Sequence, residues 1–183
     1  MAPHTTATRV FCRTLPTPDG PFTILGDDTA VLASGWTSDP GFLTARMRGA
    51  TGLALDHAAP VPTYFHEAMR AVDEYYGGDR QVVHQVPVRV ESGPFHAQVR
   101  QVLHEIPYGR TVTYSQLAAA AGAPRAVRAA ASACASNSTA LFVPCHRVIR
   151  SDGSLGGFLY GIPLKERLLE RERRATSEGP SRA

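Results

Sequence analysis

The chain has 183 residues, 43% of them hydrophobic and 19% charged, enough for one large globular domain or two small ones. No apolar run is long enough to cross a bilayer and no signal peptide is evident, so we expect a cytoplasmic protein with no membrane partner. Cys12, Cys134 and Cys145 are widely spaced and form no CxxC pair, which disfavours a disulfide framework or a cysteine-rich zinc site and favours reduced thiols.

The charge is distributed unevenly along the chain. The formal net charge is +3, but residues 1–91 hold seven Arg against ten Asp/Glu, whereas residues 92–183 hold twelve Lys/Arg against six Asp/Glu. A basic second half suits a domain that binds a polyanion, but a solvated basic surface would have the same composition. Sequence motifs therefore have to decide between the two.

The first half predicts a small antiparallel meander and then a helix. Short runs rich in β-formers, separated by P-D-G and G-D-D turns, predict strands near 9–15, 21–26 and 30–36. Residues 42–62 are rich in Gly, Ala and Pro and predict a loop with short helical pieces. In the next segment, 63–78, the apolar residues Phe65, Met69, Val72 and Tyr76 stand at helical spacing, which predicts a helix that ends at Gly77.

A further strand is predicted over 81–90, and residues 91–94 read as the hinge to the basic half. There Pro94 opens a helix that ends near Pro107 and Gly109. Residues 111–137 predict a short helix through Leu117, a break at 122–124 and an alanine-rich helix to about Ala135.

This helix pair has the spacing of a helix-turn-helix. Arg125 and Arg128 on the second helix favour DNA binding, and its alanines would let the backbone approach a groove. Close packing between helices would need the same alanines, so both interpretations remain open. Beyond the pair, an apolar strand is predicted over 140–145, a turn over 151–153, a glycine-rich loop over 156–161 and a closing helix over 163–174.

Cys145 ends the predicted strand and is followed at once by His146. The pair could be a nucleophile and its base, two metal ligands or two packing residues. Glu172 on the last helix could orient the imidazole, as in other nucleophile and base pairs. Metal binding is the weakest of the three, because neighbouring residues on a strand point apart and no other ligand pair has suitable spacing.

Four segments together resemble the O6-alkylguanine-DNA alkyltransferases, which repair DNA by direct reversal. These are VPCHRVI (143–149), IPYGRTVTYSQLA (106–118), APRAVRAAASACASN (123–137) and LKERLLERE (164–172). The resemblance covers roughly 92–173, and the first half is similar only in outline. It implies a mixed α/β protein with a small-sheet N-terminal domain of the ribonuclease H-like kind (1–91), a mostly helical domain with a winged helix-turn-helix (92–174) and a disordered tail (175–183).

The resemblance also implies a single-turnover reaction. Cys145 would take the alkyl group from O6-alkylguanine, with O4-alkylthymine as a further substrate, and would keep it as a thioether. His146 would accept the thiol proton through a water, Glu172 would hold the imidazole, and Asn137 would brace the active-site turn. Tyr114 would donate its hydroxyl hydrogen to the guanine that leaves.

For DNA binding, the resemblance implies a flipped nucleotide, because a base inside a duplex hides its O6 substituent. Arg128 would fill the gap left in the stack, as the second helix enters the minor groove of double-stranded DNA. Further DNA contacts would come from Tyr114, Ser115, Ala126 and Ser151. The protein would be a monomer, with or without cooperative binding along DNA, and would need no cofactor or metal.

The substrate pocket would be formed by Val148, Phe158 and Leu159. Here the chain departs from the family, which usually has tyrosine at Phe158, small residues at Leu159 and Tyr160, and often proline at Ser138. The range of alkyl sizes stays open, because a bulkier loop would narrow the pocket. Two rival functions also remain: a non-catalytic helix-turn-helix protein that binds DNA or lesions, and a cysteine hydrolase with repeated turnover.

Overall fold

The computed structural model describes residues 8–48, 53–78 and 82–177. Its first part is a four-stranded sheet in the order β3-β2-β1-β4, formed by β1 (Thr8–Thr17), β2 (Gly20–Gly26), β3 (Val31–Gly35) and β4 (Leu53–Asp56). β1, β2 and β3 are antiparallel neighbours, whereas β4 runs parallel to β1. The three predicted strands are therefore confirmed.

Two elements lie wholly or partly in residues 42–62, for which the sequence predicts a loop with short helical pieces. α1 (Pro40–Thr44) is a short helix capped by the Asp39 side chain, in keeping with the expected helical pieces. β4 was not predicted, because its four residues LALD are only partly buried and carry no clear alternation. Its position depends on pairing with β1, which local sequence does not specify.

α2 (Thr63–Tyr76) confirms the predicted helix, and it covers one face of the sheet with Phe65, Ala68, Val72 and Tyr75. Residue 81 lies outside the described residues, and over 82–90 the predicted strand is wrong. Residues Val82–Gln85 form a 3₁₀ helix, and only an isolated bridge joins Val88 to Val31. Pro87 has no N–H and cannot donate to a strand ladder, which accounts for the short pairing.

The second part contains α3 (Pro94–Glu105), α4 (Tyr114–Ala120), α5 (Val127–Ala135) and α6 (Ile162–Ser177). Two short parallel strands, β5 (Val112–Thr113) and β6 (Val148–Ile149), pair beside them. A capping box between Thr113 and Gln116 starts α4. α6 continues through 175–177, the first residues of the predicted tail, and 178–183 lie outside the described residues.

The strand predicted over 140–145 is also wrong. Leu141 has a left-handed φ of 73°, and Val143 donates its N–H to the Thr139 carbonyl, so the segment is a buried tight turn. Cys145 begins a 3₁₀ helix, Cys145–Arg147. A short apolar run alone cannot distinguish a buried strand from another buried segment. Residues 140–145 are apolar because both parts of the molecule pack against them, although they form a turn.

The largest hydrophobic cluster crosses the predicted domain boundary at 91/92. Phe22 and Tyr75 from the first part share it with Phe142 and Leu168 from the second. A second cluster lies among α3, α4 and α5 and includes Leu103, Leu117, Ala130, Val143 and Cys145. The turn before Cys145 is therefore held between the two clusters. In the described ranges, none of the helices combines the length and apolarity that crossing a bilayer requires.

Candidate active site

A cavity of about 520 Å³ opens beside α5, and Cys145 lies in its wall. The volume falls in the range of small-molecule sites. Its lining comes from Tyr114 at the start of α4, one face of α5, the turn before Cys145 and the loop after β6: Val127, Arg128, Ala131, Cys134, Ala135, Asn137, Ala140, Arg150, Gly157, Phe158, Leu159 and Tyr160. The structure thus brings Cys145, Asn137, Tyr114, Arg128, Phe158 and Leu159 together.

Cys145 is almost fully buried, with 9% of its surface exposed. Burial raises the pKa of its thiol, while the hydrogen bond from Asn137 and the positive charge of Lys165 lower it. The thiol is therefore the resting form at neutral pH, and a base has to remove its proton before it can act as a nucleophile. The groups that favour the thiolate are already in place.

Asn137 ties the turn to the thiol. Its Nδ2 donates to the Val143 carbonyl at 2.9 Å and to Cys145 Sγ at 3.1 Å. Its Oδ1 accepts from the backbone N–H of Thr139 at 3.2 Å and from the Thr139 hydroxyl at the same distance. One buried amide thus fixes the backbone on both sides of the turn and directs a hydrogen at the sulfur.

His146 is buried, and its Nε2 lies 2.8 Å from Glu172 Oε1. Burial lowers the pKa of the imidazole, although Glu172 acts in the opposite sense. An ionised carboxylate can only accept, so Nε2 carries the hydrogen and donates it, which leaves Nδ1 as the proton acceptor of a neutral ring. No direct hydrogen bond joins this ring to the Cys145 thiol in the part of the chain that the structure describes.

Glu172 is buried and accepts hydrogen bonds from other groups in addition to His146. Arg147 donates to both carboxylate oxygens, from Nε at 2.9 Å and from Nη2 at 3.0 Å, and the Gly109 N–H donates at 2.9 Å. The Tyr75 hydroxyl donates at 3.2 Å. Burial raises the pKa of Glu172, but His146 and the permanent charge of Arg147 outweigh it and bring the pKa to about 2. We call these five residues the Glu172 cluster.

Arg147, Tyr75 and Lys165 were not predicted as site residues. Arg147 stands in the motif PCHRV, which by itself does not indicate a partner for the guanidinium, and Tyr75 comes from α2 in the other half. Lys165 is buried on α6, where its Nζ donates to the carbonyls of Val148, at 2.6 Å, and Leu155. The sequence does contain a signal for the burial of Lys165, because this basic residue stands next to Leu164 and three positions before Leu168, on the apolar side of the predicted helix.

Four predicted contacts lie outside the cavity wall. Val148 is fully buried and its carbonyl accepts from Lys165. Ser115 and Ser151 are exposed, with their hydroxyl oxygens 3.4 Å apart, and so adjoin each other at the surface. Ala126 is the N-cap residue of α5. In the described ranges, no group of three or more His, Cys, Asp or Glu side chains is arranged to hold a metal ion.

Tyr114 is half-buried, and burial raises its pKa, as do Cys134 and Cys145. The tyrosine is therefore a neutral hydroxyl that can donate a hydrogen into the cavity. Its ring lies against Gly156, where a Cβ would meet the Tyr114 Oη at 3.2 Å and the Arg150 Cγ at 3.5 Å. The left-handed φ of 69° at Gly156 also favours glycine at this close approach. An apolar cavity that contains the Cys145 thiol, the Tyr114 hydroxyl and two arginines can bind a flat base and attack its substituent.

Residues 94–174 match the family model described as 6-O-methylguanine DNA methyltransferase, DNA binding domain. The bifunctional transcriptional activator/DNA repair enzyme Ada of Escherichia coli is 45% identical over 114 residues, which are 62% of this chain and 32% of Ada. The chain thus spans about a third of that relative. A methylated-DNA–protein-cysteine methyltransferase of Methanosarcina barkeri is 41% identical over 109 residues, which are 60% of this chain and 68% of the relative.

Two solved structures are similar over nearly the whole chain. The Mycobacterium tuberculosis O6-methylguanine methyltransferase has a TM-score of 0.75 and 32% identity, and the alignment covers 94% of this chain and 96% of that one. The M. tuberculosis OGT in complex with DNA has a TM-score of 0.76 and 31% identity, with 91% and 94% covered. The likeness therefore extends to the first half of the chain.

Proposed function

The chain belongs to the methylated-DNA–protein-cysteine methyltransferase family, and we propose that it repairs O6-alkylguanine in DNA by moving the alkyl group irreversibly to Cys145. Cys134 and Cys145 both lie in the wall of an open cavity, and the observation that carries the proposal is that Cys145 alone of the two is hydrogen-bonded to Asn137 and followed by the His146–Glu172 pair. O4-alkylthymine, which presents a similar alkyl ether, is proposed as a further substrate.

The chemistry is a displacement at carbon. The thiol proton passes through a water to Nδ1 of His146, and the resulting imidazolium is stabilised by Glu172, which is already ionised. The sulfur then forms a bond to the alkyl carbon while the bond from that carbon to O6 breaks. Tyr114 donates a hydrogen bond to the departing guanine as charge develops on it, and the proton taken from the thiol passes from His146 through water to the guanine, which leaves both side chains neutral.

The products are a thioether on Cys145 and an unmodified guanine. A thioether sulfur at a saturated carbon is not hydrolysed by any group in the cavity, so each molecule reacts once. This outcome separates the proposal from the cysteine hydrolase, which would release product repeatedly.

DNA binding follows from the elements that surround the cavity. α4 and α5 are consecutive helices, and α5 presents Arg128, Ala131 and Ala135 to the cavity that holds Cys145; we interpret the pair as a helix-turn-helix. We propose that α5 enters the minor groove, that Arg128 occupies the place of the flipped base, and that Ser115, Ala126 and Ser151 contact the backbone of double-stranded DNA. Arg150, also in the cavity wall, adds positive charge near Tyr114.

The finer fold interpretation belongs to the same proposal. We interpret the four-stranded sheet with α2 as a ribonuclease H-like scaffold and the helix pair with β5 and β6 as a winged helix-turn-helix, divided near 91/92. We propose a monomer that works in the cytoplasm without a cofactor. The free thiols of Cys12, Cys134 and Cys145 suit a reducing compartment.

The test is a mass spectrum of the intact protein after incubation with excess duplex that contains O6-methylguanine. We expect the mass of one methyl group per molecule, mapped by peptide analysis to Cys145. Cys145→Ala should gain no mass yet still bind the duplex, and Cys134→Ala, the matched cysteine control, should be methylated. Repeated release of product would support the hydrolase, and binding of the lesion without any transfer would support the non-catalytic protein.

A further inference from the structure

The side chain of Tyr160 connects the cavity to the N-terminal sheet. The residue is part of the cavity wall that also contains Cys145. Its hydroxyl, however, donates to the Ser34 carbonyl of β3 at 3.2 Å. The ring centroid lies 5.4 Å from that of Trp36 and 6.1 Å from that of Phe42, so residues of the first half hold this part of the wall.

Gly35 provides the space for this contact. A Cβ built at Gly35 would lie 1.8 Å from the Tyr160 Oη and 2.2 Å from its Cζ, far inside any permitted contact. Any other residue at position 35 would force the phenol out of its place. The glycine at the end of β3 and the tyrosine in the loop are therefore sterically matched, and we call their contact the Gly35–Tyr160 latch.

The rest of the loop 156–161 has weaker anchors. Leu159 is 40% exposed, and a Cβ at Gly157 would meet nothing within 4 Å. Phe158 depends on the same aromatic group, because its ring packs against Tyr160 at 5.6 Å and Trp36 at 6.2 Å. The position of the cavity wall opposite α5 thus follows the position of Tyr160.

We propose that the Gly35–Tyr160 latch determines the size of the alkyl group that Cys145 can accept. Drawing the phenol into the sheet withdraws the loop from the cavity and leaves room beside the sulfur for groups larger than methyl. The proposal rests on the proposed alkyl transfer and deepens it. It gives the N-terminal half a part in substrate selection, with Gly35 as a positioning residue that acts through Tyr160.

The first experiment compares two duplexes that differ only in the alkyl group, O6-benzylguanine and O6-methylguanine. In Gly35→Ala the new methyl group displaces Tyr160 toward the cavity. We expect the second-order rate constant for benzyl transfer to fall about tenfold, while that for methyl transfer changes less than about threefold. Gly93→Ala is the matched control, because a Cβ there meets nothing within 4 Å, and it should leave both rate constants unchanged.

The second experiment repeats Gly35→Ala in a Tyr160→Ala background. Without the phenol there is nothing for the new methyl group to displace, so the ratio of benzyl to methyl rates should equal that of Tyr160→Ala alone. A fall that persists in this background would mean that the substitution distorts β3, and the latch would be refuted. Melting temperatures identify variants that do not fold.

If Gly35→Ala does not fold, Tyr160→Ala alone still tests the proposal. Removing the ring releases the loop from β3, so the ratio of benzyl to methyl rates should fall below that of the parent, and an unchanged or higher ratio would overturn the latch. If the parent transfers both groups and no variant changes the ratio, the latch fails while the proposed function stands. If the parent transfers neither group, the proposed function itself fails.

Discussion

The Glu172 cluster and the cavity meet at Cys145 but differ in how they are built. The two carboxylate oxygens of Glu172 receive five donated hydrogens, from Tyr75, Gly109, His146 and twice from Arg147. The cavity is lined mainly by apolar groups, and every lining residue lies between Tyr114 and Tyr160. The cluster therefore combines residues from both halves, whereas the cavity is formed by one continuous stretch of chain.

This difference separates two tasks. A buried, fully paired cluster fixes which atoms carry protons, because any rearrangement would leave a charge or donor unpaired. An apolar cavity with a loosely held loop can accept different substituents, since few of its walls depend on exact hydrogen bonds. Stability and proton transfer should thus depend on the cluster, and substrate choice on the cavity.

The largest effect should follow from Glu172→Gln, which tests the cluster. The new amide nitrogen is a donor among donors, and the buried Arg147 loses its counter-charge, so we expect a loss of about 3–5 kcal/mol in the free energy of unfolding. Denaturant unfolding measures this. Glu170→Gln on the same helix is the control: Glu170 pairs with exposed Arg173 and Arg174, and its loss should not be detectable. Equal effects would mean that the cluster contributes no special stability.

The same cluster predicts how stability depends on pH. Folding lowers the pKa of Glu172 from 4.5 to about 2 and that of His84, which accepts from Arg147, from 6.5 to about 4, and it lowers the pKa of His146. A lowered pKa stabilises the fold above the unfolded value, and this contribution is lost as the pH falls through the folded value.

The free energy of unfolding should therefore begin to fall below pH 6.5, where unfolded histidines take up protons, and should fall further between 4.5 and about 2. The Glu172 part is on the order of 3 kcal/mol. Unfolding curves at several pH values measure it, and Glu172→Gln should remove the second fall. A second fall of the same depth in that variant would place its origin in other carboxylates.

A smaller effect is expected where the two regions meet. Asn137→Ala removes the hydrogen bond to the sulfur, so the pKa of Cys145 should rise further and alkyl transfer should slow by about 10- to 100-fold. The rate of Cys145 alkylation by iodoacetamide across pH reports the thiol pKa. Thr139→Val, which leaves the amide but removes the hydroxyl that donates to it, should slow transfer less. An unchanged thiol titration in Asn137→Ala would contradict the role of the amide.

The contrast also explains what could be predicted from the sequence. The residues of the cavity are close in the chain, and the resemblance of the segments around Tyr114, Arg128 and PCHRV to the alkyltransferases was enough to associate them with Cys145. The Glu172 cluster was predicted only in its His146 and Glu172 members, because the approach of Tyr75 from α2 depends on packing between the halves.

The failed strand predictions have the same cause. Residues 140–145 are apolar because two hydrophobic clusters enclose them, so the sequence shows neither the alternation of a half-buried strand nor the spacing of a helix. The left-handed turn at Leu141 is fixed by hydrogen bonds of Asn137 and Thr139, whereas a turn that can be recognised from sequence usually has a residue such as glycine at this position. At 81–90, Val83 is buried but His84 turns toward Arg147, a contact 63 positions along the chain. Local propensity does not contain either contact.

The smallest effect should come from Arg128→Ala, which changes the cavity and leaves the cluster intact. Arg128 is exposed on α5, and its proposed role is to replace the flipped base in the stack, so it matters only when a stack exists. We expect transfer from an alkylated duplex to slow about tenfold, with no change for free O6-benzylguanine. Arg125→Ala is the control, since Arg125 precedes α5 and lies outside the cavity wall, and it should affect duplex and free base little. Equal slowing on duplex and free base in Arg128→Ala would instead assign the arginine to the pocket, and the division between recognition and chemistry at Cys145 would have to be redrawn.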